Sequence, residues 1–364
     1  MNSLRDKVRW MIAQSNESSI IQSNDLANDI SMTFLLQALE HTQLIENEIV
    51  FTLRTQLLKR IYDTLNRSPF PVTDNIAYIG LNYIRTDETP QDWGRLMVKI
   101  DTQINDFFIN YTNKNNFGFV NGTGGMLHYL GHRQQRDEVS KNYFEQNLTV
   151  FLKSVKETFA LDKIRHHSLD FSRCHGLVGS LLLLTTYVEH NDEIKDLIIN
   201  GCNLMLLLRQ EVDATDNRFR FFPTGLEKGK PIFDNETSWM IGDLNQALLL
   251  YRASKTLGVD YFFDIAQLVG LHTLTVAANE RNHVSGIGLE NGLANLVLNY
   301  QRLYDIDPQP AYKKAFGYWQ GKLMQAIENT QVFNRELIEA VTTVVLQQAK
   351  CNEVQSTLLP IYNH

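Results

Sequence analysis

The stretch Met240-Ile-Gly-Asp-Leu-Asn-Gln-Ala-Leu-Leu-Leu250 enters a polar knot around a glycine and leaves it as a run dominated by small and aliphatic residues. The same pattern recurs at Val120-Asn-Gly-Thr-Gly-Gly-Met-Leu-His-Tyr-Leu130, Cys174-His-Gly-Leu-Val-Gly-Ser-Leu-Leu-Leu-Leu184 and Glu290-Asn-Gly-Leu-Ala-Asn-Leu-Val-Leu-Asn-Tyr300. Thr73-Asp-Asn-Ile-Ala-Tyr-Ile-Gly-Leu-Asn-Tyr83, Asp29-Ile-Ser-Met-Thr-Phe-Leu-Leu-Gln-Ala38 and a worn copy at Leu337-Ile-Glu-Ala-Val-Thr-Thr-Val-Val-Leu346 complete the series. Successive knots lie roughly 45 to 65 residues apart, room for two helices and their loops, so each repeat reads as one helical hairpin.

Working outward, the segments between knots put apolar residues at i, i+3, i+4 and i+7, as in Ile45 to Leu65 and Phe144 to Phe159, and only eight prolines interrupt the chain. The helices that leave the knots are aliphatic on most faces and need burial on all sides. An open array would leave its end repeats uncapped, whereas a ring closes on itself. The expected fold is therefore all-α, an α/α toroid of about seven hairpins, with an open solenoid of the same hairpins as the alternative. No Pro/Gly/Ser linker divides the chain, so residues 1–364 are expected to form one domain. The knot glycine is expected where a helix starts against neighbouring helix ends, which needs either the absence of a Cβ or a positive φ.

Composition narrows the function classes. At 364 residues and 43% hydrophobic content the chain can bury a large core, and its net charge of −7 comes with no Lys/Arg stripe to follow a phosphate backbone. Nucleic acid is not an expected partner, and no apolar run approaches the length of a membrane span. The amino-terminal residues Met1 to Gln14 carry Arg5, Asp6, Lys7 and Arg9 among their apolar positions, which suits a first helix and not a secretory signal. The three cysteines, Cys174, Cys202 and Cys351, are odd in number and far apart, which points to a reducing, cytoplasmic setting.

The His175-Gly176 pair, the Trp239-x-x-Gly242-Asp243 frame and the late knot before Gly292 resemble, over nearly the whole chain, the lanthionine synthetase C-like family, cyclases that close thioether rings in ribosomally made peptides. The resemblance implies a toroid with a central zinc ion. It implies addition of a peptide cysteine thiol to dehydroalanine or dehydrobutyrine, metal ligands from a Trp-Cys-Tyr-Gly segment and a later Cys-His-Gly segment, and an acid/base His from an earlier His-Gly segment. His175 matches that last position. At the ligand positions, however, Met240 stands where the first Cys would be, Ile241 replaces the Tyr, and Glu290 and Asn291 replace the Cys-His pair. Zinc needs thiolate, imidazole or carboxylate donors, and of these three ligand positions only Glu290 offers one. No metal and no other cofactor is expected. Cys174, beside His175, reads as a small buried hydrophobe, and His166 and His167 as solvated loop.

With the knots gathered at one mouth of the ring, His175, Trp239, Met240, Glu290 and Asn291, with Glu236 nearby, are expected to line a pocket for peptide. His175 is a candidate acid/base. Asp243 has two readings, a cap for the helix it opens and a candidate catalytic carboxylate; Trp239 also reads as knot packing. The favoured function is a zinc-less cyclase-like protein that binds a precursor peptide or a partner modification enzyme such as a dehydratase. One alternative is a zinc-independent cyclase: losing the metal leaves a thiol of pKa about 8.5 only partly ionised at neutral pH, which slows addition without abolishing it. A second is a glycan-processing toroid that uses Glu236, Asp243 and Glu290 as paired carboxylates.

Overall fold

Burial separates the helices into two classes. Every residue of Leu177–Leu184 is buried, as are Thr123 to Gly131 in Thr123–Arg133. In Pro310–Asn329, by contrast, the buried positions are the single stripe Tyr312, Trp319, Leu323 and Ile327. A helix apolar on all faces belongs inside and a striped one outside. In a computed structural model the two classes alternate along the chain. The structure describes residues 2–17, 26–67, 76–84, 91–112, 117, 122–160, 164, 168–172, 176–210, 220–233, 242–277, 284, 286–289 and 292–349.

The outer helices are α1 (Asn2–Glu17), α3 (Asn47–Arg67), α5 (Gln91–Thr112), α7 (Glu138–Thr158), α9 (Asp192–Leu208), α11 (Asp260–Ala277) and α13 (Pro310–Asn329). The inner helices are α2 (Leu26–Leu39), α4 (Ile76–Ile84), α6 (Thr123–Arg133), α8 (Leu177–Leu184), α10 (Asp243–Leu257), α12 (Leu293–Ile306) and α14 (Arg335–Ala349). Each inner helix packs on the next from α2 round to α14, and α14 packs extensively on α2. That last contact closes the ring and excludes the open solenoid. The fold is an α/α toroid, and each inner helix coincides with one of the seven repeats read from the sequence.

Close approach between repeats is bought with glycine. A Cβ on Gly80 of α4 would lie 2.2 Å from the ring of Tyr129 on α6, and one on Gly131 would lie 1.9 Å from the hydroxyl of Tyr187. One buried polar network joins three helices. Tyr251 on α10 donates to Asp307 at 2.7 Å, Gln267 of α11 donates to the same oxygen at 2.9 Å, and Tyr312 of α13 lies 3.1 Å from Tyr251. This network ties one inner helix to two outer ones.

One feature was not expected from the sequence. A three-stranded antiparallel sheet joins β1 (Leu169–Asp170), β2 (Gly225–Glu227) and β3 (Lys230–Ile232), with Leu169 opposite Leu226 and Leu226 opposite Pro231. β1 lies just before α8 and the β2–β3 hairpin just before α10, so the sheet links two neighbouring knots. No helix among the described residues is long and apolar enough to cross a membrane.

Candidate functional site

Strict alternation of outer and inner helices around a closed ring makes every inner helix run in the same sense, so the inner N-termini share one face. Their first-turn amides and positive dipole ends gather there. Four inner helices open on a glycine with no side-chain cap: Gly122, Gly176, Gly242 and Gly292. Their φ angles are −149°, −122°, −95° and −119°, so a positive φ is not what selects glycine here. Space is the reason at two of them. A Cβ on Gly176 would stand 2.2 Å from the carbonyl oxygen of Asp170, and one on Gly292 would stand 2.5 Å from both N and O of Gly288. At Gly242 the nearest atom is Nη1 of Arg220 at 3.7 Å, an ordinary contact.

Asp243 does not cap its own helix, which corrects the capping expectation. The cap residue is Gly242, and the Asp243 carboxylate turns to the incoming chain. Its Oδ2 accepts from the amide of Phe221 at 2.8 Å and its Oδ1 from the amide of Phe222 at 3.0 Å. Asp243 is only 7% exposed. Burial pushes its carboxyl above the ordinary aspartate range, opposed by the two amides and by the charges of Arg220 and His272. His272, half-buried on α11, meets the ring of Phe221 edge-on at 5.0 Å. The other side of this segment is held by Gln210, whose amide donates to the carbonyl of Phe221 at 3.0 Å and whose side chain donates to that of Arg220 at 2.8 Å.

The knot before α12 is held by the same device from a different helix. Glu336 and Glu339, in the first turns of α14, accept from the amides of Ile287 at 3.2 Å and Leu289 at 2.9 Å. Glu339 is itself oriented by Nε of Arg335 at 2.6 Å. The carbonyls of Gly286 and Ile287 accept from the first amides of α12, Leu293 and Ala294, at 3.1 and 3.2 Å, and Asn295 donates back to the carbonyl of Leu289 at 3.0 Å. The segment that leads directly into Glu290 and Asn291 is therefore fixed from both sides. At α8 the carbonyl of Ser172 accepts from the amide of Gly176 at 3.2 Å.

Of the residues singled out in the sequence, Asp243 lies in this framework with both oxygens engaged by backbone. His175, Glu236, Trp239, Met240, Glu290 and Asn291 lie outside the described residues, as does Cys174. The separations among Glu236, Asp243 and Glu290 that a glycan-cleaving pair would need are accordingly not defined. Sequence reading missed Arg220, His272, Glu336 and Glu339. Only the last two carried a signal, acids three apart at the start of an apolar helix. The donor chemistry at the ligand positions, a thioether, a carboxylate and a neutral amide, does not fit zinc. Among the described residues no group of three or more His, Cys, Asp or Glu is placed to hold a metal ion.

Among the described residues, a closed ring of seven inner and seven outer helices, with the inner N-termini gathered on one face, defines the class as an α/α toroid. The model of a family described as lanthionine synthetase C-like protein matches residues 76–284, more than half of the chain, and the chain belongs to that family. A solved structure of nisin cyclase is similar at a TM-score of 0.77 and 14% identity, covering 100% of this chain and 98% of that one. At that identity the likeness speaks for the fold. No curated protein matches the sequence.

Proposed function

We propose that this lanthipeptide-cyclase-like protein works without zinc and binds a precursor peptide, or a partner modification enzyme, at the face where the inner helices begin. One observation carries the reading. The glycine frame is kept at Gly176, Gly242 and Gly292 with its supporting hydrogen bonds, while of the residues in front of two of those glycines, Met240, Ile241, Glu290 and Asn291, only Glu290 carries a group that could ligate a metal, too few donors for a zinc site. Keeping the shape of the mouth without the metal donors suits recognition better than thiol activation. On this reading the whole of residues 1–364 acts as one domain in the cytoplasm, with Trp239, Met240, Glu236, Glu290 and Asn291 offered to the peptide.

Ring closure adds S–H across a C=C bond: sulfur joins the β-carbon, the proton goes to the α-carbon, and mass is unchanged while one thiol disappears. The test uses a synthetic peptide carrying one cysteine and one dehydroalanine, with chelator present. Binding is followed by fluorescence anisotropy and thiol loss by maleimide labelling and mass spectrometry. The reading predicts saturable binding with thiol loss no faster than in protein-free buffer. Chelator-insensitive thiol loss that depends on the protein and steepens with pH would replace it with a zinc-independent cyclase using His175, whose glycine neighbour keeps its place at the α8 cap.

A further inference from the structure

Gln246 sits on α10 one turn below Gly242, is fully buried, and has no hydrogen-bond partner among the described residues at either its carboxamide oxygen or its nitrogen. Three buried polar side chains on other inner helices show the paired state. Thr33 donates to Asn82 at 2.7 Å, Thr342 to the carbonyl of Ile338 at 2.7 Å, and Asn295 to that of Leu289 at 3.0 Å. Carrying an amide out of water with both of its groups unmet is costly, and nothing in an apolar helix wall requires an amide where leucine or methionine would fill the same volume. Protein interiors meet this demand with internal water, about one molecule for every 27 residues, each bonded to groups that lack protein partners.

We propose that the inner wall beside Gln246 is a binding site for a long-lived internal water molecule, which accepts from Nε2 and donates to Oε1. The donor and acceptor of one carboxamide lie side by side in a plane, so one water closes a ring with both. The site lies one helical turn beneath the mouth of the toroid and makes that stretch of the inner wall polar and hydrated. The inference is independent of what the mouth binds, because it rests on Gln246 alone.

A high-resolution crystal structure of the full chain tests it, with the Gln246→Leu variant as control. The expected result is an isolated density peak 2.7–3.2 Å from both Oε1 and Nε2 of Gln246, absent from the variant. Two results overturn it: no peak beside the carboxamide, or direct protein partners at both of its polar atoms. If the leucine variant does not fold, the wild-type map decides alone.

Discussion

The backbone amide of Phe221 donates to Oδ2 of Asp243 at 2.8 Å, across 22 residues of chain. With the companion bond from Phe222 it makes the first residue of α10 a clamp on the segment just before β2. Asp243→Asn keeps one carbonyl acceptor and turns an N–H₂ toward the second amide. A buried donor left unmet costs about 1–3 kcal/mol. Urea unfolding should show a loss of that size, and hydrogen exchange should accelerate at Phe221 and Phe222 before it does at Leu289.

The same carboxyl sets a pH dependence. Burial raises its pKa in the folded chain relative to the unfolded one. Below the ordinary aspartate value both states hold the proton and the contribution to stability is fully present. As pH rises through the raised folded value, the folded state holds on to a proton that the unfolded state has released, and stability falls. Asp101 and Glu40, also raised by burial, add in the same direction. Unfolding free energy measured from the ordinary carboxylate range toward neutrality should decline, and Asp243→Asn should flatten part of that decline.

Two knot glycines should respond differently to alanine. At Gly176 the new methyl would meet the backbone oxygen of Asp170 at 2.2 Å, which cannot move without pulling β1 from β2. Gly176→Ala should cost about 1–3 kcal/mol or more, as overpacking does. At Gly242 the methyl has only the flexible Arg220 guanidinium 3.7 Å away, and Gly242→Ala should cost about 1 kcal/mol or less, the difference between the two residues at a cap. Paired thermal melts read this directly; equal losses would contradict the packing argument.

Glu339→Ala should release the amide of Leu289 and the guanidinium of Arg335 together. The expected loss is about 1 kcal/mol, since the site is only partly buried, and exchange at Leu289 should quicken while Phe221 and Phe222 are unchanged. Under the peptide-binding reading the same variant should also weaken anisotropy-measured binding, because Glu290 and Asn291 follow Leu289 directly.

How much of this was legible in the sequence depends on the range of the cause. The inner helices were readable because Leu177 to Leu184 is apolar on every face, a local property, and the repeat of glycine knots ordered them. The worn seventh copy was readable by its spacing, although α14 uses Asn334, which accepts from the amide of Leu337 at 3.0 Å, in place of a glycine cap. The bonds from Asp243 to the amides of Phe221 and Phe222, which replace the expected helix cap, are not legible because no local rule connects those segments. The sheet was missed because β2 and β3 are three residues each and their turn carries positive φ at Lys228 and Gly229, a two-residue hairpin whose strongest sequence signal is Asn-Gly.

The central claim is a cyclase-like toroid that has given up its zinc. Metal analysis by inductively coupled plasma mass spectrometry, on protein purified without added metal and without a histidine tag, tests it most directly. The account predicts zinc far below one equivalent per chain, unchanged by chelator. Zinc at about one equivalent, retained through dialysis, would contradict it and put ring closure ahead of peptide binding as the protein's activity.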